Sequence, residues 1–256
     1  MTTVERTIYR TTPDRPPPQG RLGRRLARPG WVIMVVACVA AVVYASQYLT
    51  FDPDVYFPQQ REPYLQHEFA LGVHVLSGIL ALLIGPLQFV QRLRRRFVRV
   101  HRFMGATYVA SATALGVSGL ILAPTAYTGL VASAGFTVLD LAMLFTTLTA
   151  VRMIVAGRYG EHRRWMIRSF SLIMAGVMLR VWSPLYSVAA GVGLVDFSFE
   201  TAYAAISWLC WVPNLMFAIW FTRHPAEVAS AGVGHWWRRP RRAVVSVADD
   251  RVGERF

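Results

Sequence analysis

The sequence predicts an all-α, polytopic integral membrane protein: six transmembrane helices with both termini in the cytoplasm, helices two to five forming a central four-helix bundle. Three observations carry that expectation. Hydrophobic residues make up 54% of the chain and mean hydropathy is +0.38, too apolar for an ordinary soluble domain. They come in blocks of about twenty, the length a helix needs to cross a hydrocarbon core of roughly 30 Å at 1.5 Å per residue. The arginines fall almost entirely between the blocks.

Residues 1–30 form a polar, Arg- and Pro-rich stretch containing DRPPPQGRLGRRLARPG, a composition that predicts a disordered cytoplasmic tail. The first apolar block, Trp31 to Leu49, reads as a retained signal-anchor helix. A thirty-residue leader is long for a signal peptide, although Val43-Tyr44-Ala45 has the small-residue character of a cleavage site. Further helices are predicted over His67 to Val90, Phe103 to Ala123, Ala132 to Ala156, Trp165 to Ala189 and Thr201 to Thr222, giving a transmembrane domain over 31–222. Pro86 and Pro213 predict kinks in the second and sixth helices, with Asn214 placed to satisfy a freed carbonyl or to touch a substrate. The basic tail, 223–256, is expected to be mostly disordered; its HWWRRPRR run (235–242) suits either an anionic leaflet or a solvated tail.

Arginine orients the bundle. Seven lie in the first thirty residues, six in RLRRRFVRVHR (92–102), five in 152–168 and seven from Arg223 onward, against the single Arg61 in the alternate loops. Such asymmetry is the positive-inside pattern, with both termini cytoplasmic in a bacterial plasma membrane. It also accounts for the net charge of +13 without a nucleic-acid partner, which would require a basic face on a folded domain. Cys38 and Cys210 both lie in apolar runs and offer neither a disulfide framework nor a CxxC motif. Walker, Rossmann, HExxH and nucleophile-elbow patterns are absent from the sequence.

Ionisable groups inside a bilayer are costly, so each is a functional candidate. His74, Asp140 and Arg180 qualify, with Asn214 as an uncharged fourth. Counting along each helix puts the three ionisable residues about 10 to 12 Å below the outer surface, where they are able to meet. An Asp140–Arg180 ion pair locking two helices is the structural expectation; an outward-facing binding or proton-transfer site is the functional one. His67 and His74 are seven residues apart and so share a helix face, continued by Gly78 and Gly85. Small residues there permit close approach of a helix or a flat ligand.

A second candidate is an echo. HRFMGATYV (101–109) and HRRWMIRSF (162–170) each place His-Arg at the cytoplasmic mouth of a helix. Both helices run outward, so His101 and His162 sit at matching depth, as two axial ligands of one haem b require. Arg102, Arg163, Arg164 and Arg168 would then pair with its propionates. Interfacial anchoring and capture of anionic lipid headgroups fit the same pairs. In the outer half His67 and His74 share one helix, which disfavours a second bis-histidine haem and a complete transmembrane electron path.

The combination HVLSGILALLIGPLQF (74–89), HRFMGATYV, EHRRWMIRSF (161–170), LRVWSPL (179–185) and WLCWVPNL (208–215) resembles a bacterial family of predicted membrane proteins, domain of unknown function 2306, over about residues 65–220. That resemblance implies six helices and no particular activity. In topology the chain is also similar to the six-helix ascorbate-linked cytochromes b, in which the third and fifth helices supply one ligand pair; His101 and His162 occupy those helices here, while the fourth carries Asp140 and no histidine. Three functional readings follow: a b-type haem redox protein with an unnamed redox partner, a small-solute or proton-coupled permease centred on His74, Asp140 and Arg180, and a non-catalytic accessory subunit.

Overall fold

The computed structural model describes residues 21–223, with side chains from Pro29 onward. All regular elements among them are helical. Six stretches are long and apolar enough to cross a membrane: Pro29–Thr50, Glu68–Gln88, Val98–Thr125, Leu130–Val155, Tyr159–Gly191 and Phe199–Arg223. Each coincides with one predicted helix. Helix α1 spans Arg21–Ser46, so residues 21–30, expected to be disordered, are helical. The Leu, Arg and Ala of this segment are good helix formers that outweigh its glycines and Pro29. Residues 1–20 and 224–256, including HWWRRPRR, lie outside the described residues.

After α1 the chain makes three short 3-10 turns and helix α2 (Arg61–Gln66), then descends as α3 (Glu68–Gln88). Pro86 falls in the last turn of α3, where it ends the helix instead of kinking it. The arginine-rich link holds α4 (Gln91–Arg96), and α5 (Val98–Leu122) returns. Helix α6 (Leu130–Val155) forms the fourth span. The fifth span is two helices, α7 (Tyr159–Ile173) and α8 (Ala175–Gly191), joined at Met174. The sixth is likewise α9 (Phe199–Leu209) and α10 (Val212–Arg223).

Spans two to five pack in sequence, α3 on α5, α5 on α6 and α6 on α7, and α7 closes the ring against α3. Helix α1 flanks the bundle along α3 and α8, while α9 and α10 flank it along α6 and α7. Lipid tails are as apolar as leucine, so close packing rather than hydrophobic transfer must hold these helices together. Gly85 shows how: a methyl there would overlap the ring of Phe170, which fills the space between α3 and α7. Deeper still, the hydroxyl of Ser169 on α7 lies 3.1 Å from Tyr108 Oη on α5 and 2.7 Å from Thr147 Oγ1 on α6. All three side chains are buried, and the knot fixes three helices at one level.

Both broken spans have local causes. At Met174 the Val177 N–H bonds to the Met174 carbonyl at 3.0 Å, an i to i+3 bond that tightens the turn. Pro213 has no N–H, and the sixth span breaks just before it; Asn214 Nδ2 donates to the Cys210 carbonyl at 2.9 Å. The buried cysteines are free, and Cys38 Sγ lies 3.5 Å from Met174 Sδ, tying α1 to the fifth-span junction.

Candidate functional site

Three helices each bring one ionisable side chain to a common cavity of about 670 Å³: His74 from α3, Asp140 from α6 and Arg180 from α8. The depth count along the helices expected them to meet; the structure has them line one open space. Both helix breaks border it, since Ala175 and Gly176 follow one and Cys210 begins the other.

Each of the three has a different environment. His74 Nδ1 lies 3.5 Å from Ser118 Oγ on α5, a hydroxyl already donated to the Ala114 carbonyl at 2.7 Å. Asp140 is 5% exposed and packs where α5 carries Gly119; any side chain at 119 would overlap its carboxylate. Arg180 donates Nη1 to the Gly176 carbonyl of its own helix at 2.7 Å, and its guanidinium stands 5.1 Å from the centre of the Tyr44 ring on α1. Its Nε is buried without an acceptor.

The anticipated Asp140–Arg180 ion pair does not form. Among the described residues the ion pairs are Arg61–Asp54 and Arg158–Glu161, both outside the cavity. The reason is direction: Asp140 is turned to Gly119 on α5, and Arg180 is turned to Tyr44 on α1. Two other expectations are corrected. Asn214 does not line the cavity, because its amide is spent on Cys210. His67 is not on the helix face of His74; with φ −123° and ψ 34° it is the joint between α2 and α3.

A roof of aromatic residues, which the sequence reasoning missed, lines the cavity at its tyrosine-rich end. Gln60 is buried and its Oε1 accepts from Tyr64 Oη at 3.1 Å and from Tyr203 Oη at 3.4 Å. Its Nε2 reaches the Thr125 carbonyl at 3.5 Å. Burial raises the Tyr64 phenol above its ordinary range, so it stays a donor at neutral pH. Phe57 stacks on Tyr203 with ring centres 6.2 Å apart. Tyrosines at a span boundary are ordinary interfacial anchors, which hid them. The usable signal was their number in one short stretch, Tyr44, Tyr48, Tyr56 and Tyr64.

The echo residues lie at the arginine-rich end. His101 near the start of α5 and His162 on α7 lie within electrostatic reach of each other. His162 Nδ1 bonds to the Ala150 carbonyl at 2.8 Å, leaving Nε2 as its outward nitrogen. His101 Nδ1, Gln88 Nε2 and Arg164 Nε are buried without partners. Arg168 is engaged elsewhere: Nε and Nη2 both reach Thr222 Oγ1 at 3.2 Å, and the guanidinium covers the Trp165 ring at 4.7 Å. Its role as a propionate partner is therefore dropped, whereas Arg102, Arg163 and Arg164 stay on the helix ends that carry the histidines. Among the described residues no three His, Cys, Asp or Glu side chains gather as a metal cage; a histidine pair suits axial ligation of a planar group instead.

Six spans, a closed bundle of four and a cavity lined by three ionisable groups are those of a polytopic membrane protein. The chain belongs to the DUF2306 family of predicted membrane proteins, which it matches over residues 71–222. The matched region contains His74, His101, Asp140, His162 and Arg180. No curated protein and no solved structure matches the chain.

Proposed function

We propose that the protein is a small-solute permease of the bacterial plasma membrane that takes its solute into the cavity from the outer, tyrosine-rich side. The observation that carries this reading is the convergence of His74, Asp140 and Arg180, from three helices, on one cavity with no ion pair between them. Unspent polar groups around a cavity of drug-like size are what a binding site needs. The two helix breaks beside it support the same reading, because transporters build midplane sites from discontinuous helices. His74 and Asp140 are the groups able to exchange a proton with a bound solute or with water.

The test is a screen for small solutes that raise the thermal unfolding midpoint of the purified full-length protein. Solutes that stabilise the wild type and not Gly78→Leu, which fills the cavity, are expected. They are then expected to move into proteoliposomes under a pH gradient with wild type and not with Asp140→Asn. Equal shifts in wild type and Gly78→Leu would sink the reading, and a stabilising solute that never crosses would convert it to a receptor or accessory role.

The histidine pair favours a second, compatible reading: a b-type haem bound by His101 and His162. Ligating histidines usually donate the non-ligating Nδ1–H to a carbonyl, as His162 is placed to do toward Ala150, and Arg164 would serve a propionate. Haem would supply one-electron chemistry; the chain's own part would be to hold it through His101 and His162. Oxidised and dithionite-reduced absorption spectra, with pyridine haemochrome quantitation, decide it. Near one haem per chain, lost in His101→Ala and in His162→Ala, is expected; a colourless protein from haem-replete cells refutes it.

A further inference from the structure

The unspent charge at the cavity points to the kind of molecule it holds. Arg180 is the cation of the lining, and the cost of a partly buried guanidinium is met only in part. Nη1 is used on Gly176, while Nε, which shares the other edge of the planar group with Nη2, has no acceptor. The surroundings are neutral: Tyr44, Tyr48, Tyr64 and Tyr203 all lie within its electrostatic reach. Asp140, the carboxylate of the lining, is turned to Gly119. One cation in the lining matches one carboxylate. A dianion such as a phosphate monoester would leave a second charge uncompensated among apolar side chains. Much of the remaining wall is apolar, with Leu82, Leu115, Met143, Leu172 and Ile173 among its residues.

From this we propose that the cavity takes a small apolar molecule bearing a single carboxylate, its carboxylate paired with Arg180 beneath the tyrosine roof. The proposal rests on the solute-binding reading above and names its substrate class. His74 and Asp140 then face the remainder of the molecule, where a hydroxyl or amine would find acceptors.

Equilibrium dialysis of the full-length protein in nanodiscs against 1-naphthoate tests it, with empty nanodiscs as the blank and 1-naphthylmethanol as the uncharged counterpart. Saturable 1-naphthoate binding to wild type is expected, at least tenfold weaker in Arg180→Gln and kept within a few-fold in Arg180→Lys. Binding of 1-naphthylmethanol should be weaker and the same in wild type and Arg180→Gln. If the alcohol binds as tightly as the carboxylate, or Arg180→Gln binds 1-naphthoate like wild type, the carboxylate assignment is overturned. In that case loss of binding in Gly78→Leu still upholds the cavity as the solute site. Absence of saturable binding of both compounds to wild type overturns the assignment and the cavity reading together.

Discussion

Tyr203 on α9 donates its hydroxyl to Gln60 Oε1 across 3.4 Å, joining the loop after the first span to the start of the last. Tyr64 shares the same acceptor, so one buried amide oxygen holds the cavity roof. Gln60→Leu keeps the size of the side chain and strands both phenols. It is expected to lower unfolding stability by about 1–3 kcal/mol, the usual cost of unsatisfied buried donors. Thermal unfolding in detergent measures this; no change would mean that water replaces the amide and that the roof is open.

Gly119 and Asp140 make a pair that can be tested in both directions. Gly119→Ala sets a methyl against the carboxylate, and overpacking of this kind costs about 1–3 kcal/mol. The double change Gly119→Ala with Asp140→Ala should recover most of the loss. If Gly119→Ala alone is as stable as wild type, Asp140 is turned elsewhere than toward α5.

For the knot of Tyr108, Ser169 and Thr147, a double-mutant cycle of Tyr108→Phe and Ser169→Ala should return a coupling energy of about 0.6 kcal/mol, with about 1.7 as the upper end for hydrogen bonds between membrane helices. Unfolding in mixed micelles is the measurement. Strict additivity would show that the two hydroxyls do not bond.

Orientation follows from labelling. Cys38 and Cys210 are each about 1% exposed and should stay silent toward a membrane-impermeant maleimide. Asp54→Cys should then react in intact cells and Arg95→Cys only after lysis, as the arginine distribution predicts. The reverse pattern would invert the bundle and put the cavity on the cytoplasmic side.

The fold was legible because its determinants are additive along the chain. Block length and arginine position survive any detail of packing, so all six spans were found. Rise per residue also pointed to His74, Asp140 and Arg180 as neighbours in depth, and all three line one cavity. Side-chain direction was not legible. Whether Asp140 meets Arg180 depends on helix rotation, and rotation is set by pairs such as Gly119 with Asp140 and Gly85 with Phe170, which leave no periodic trace. The breaks at Met174 and before Pro213 show the same limit. Proline marked the second, while the first lies in an uninterrupted apolar run.

The Tyr108–Ser169–Thr147 knot lies between two regions that the chain keeps apart. Along α6, Asp140 and Met143 face the cavity, Thr147 joins the knot, and Ala150 holds His162. Three buried hydroxyl side chains thus lie along α6 between the cavity and the histidine end. For the transport proposed above, passage from the cavity toward the arginine-rich end would require these three hydroxyls to part.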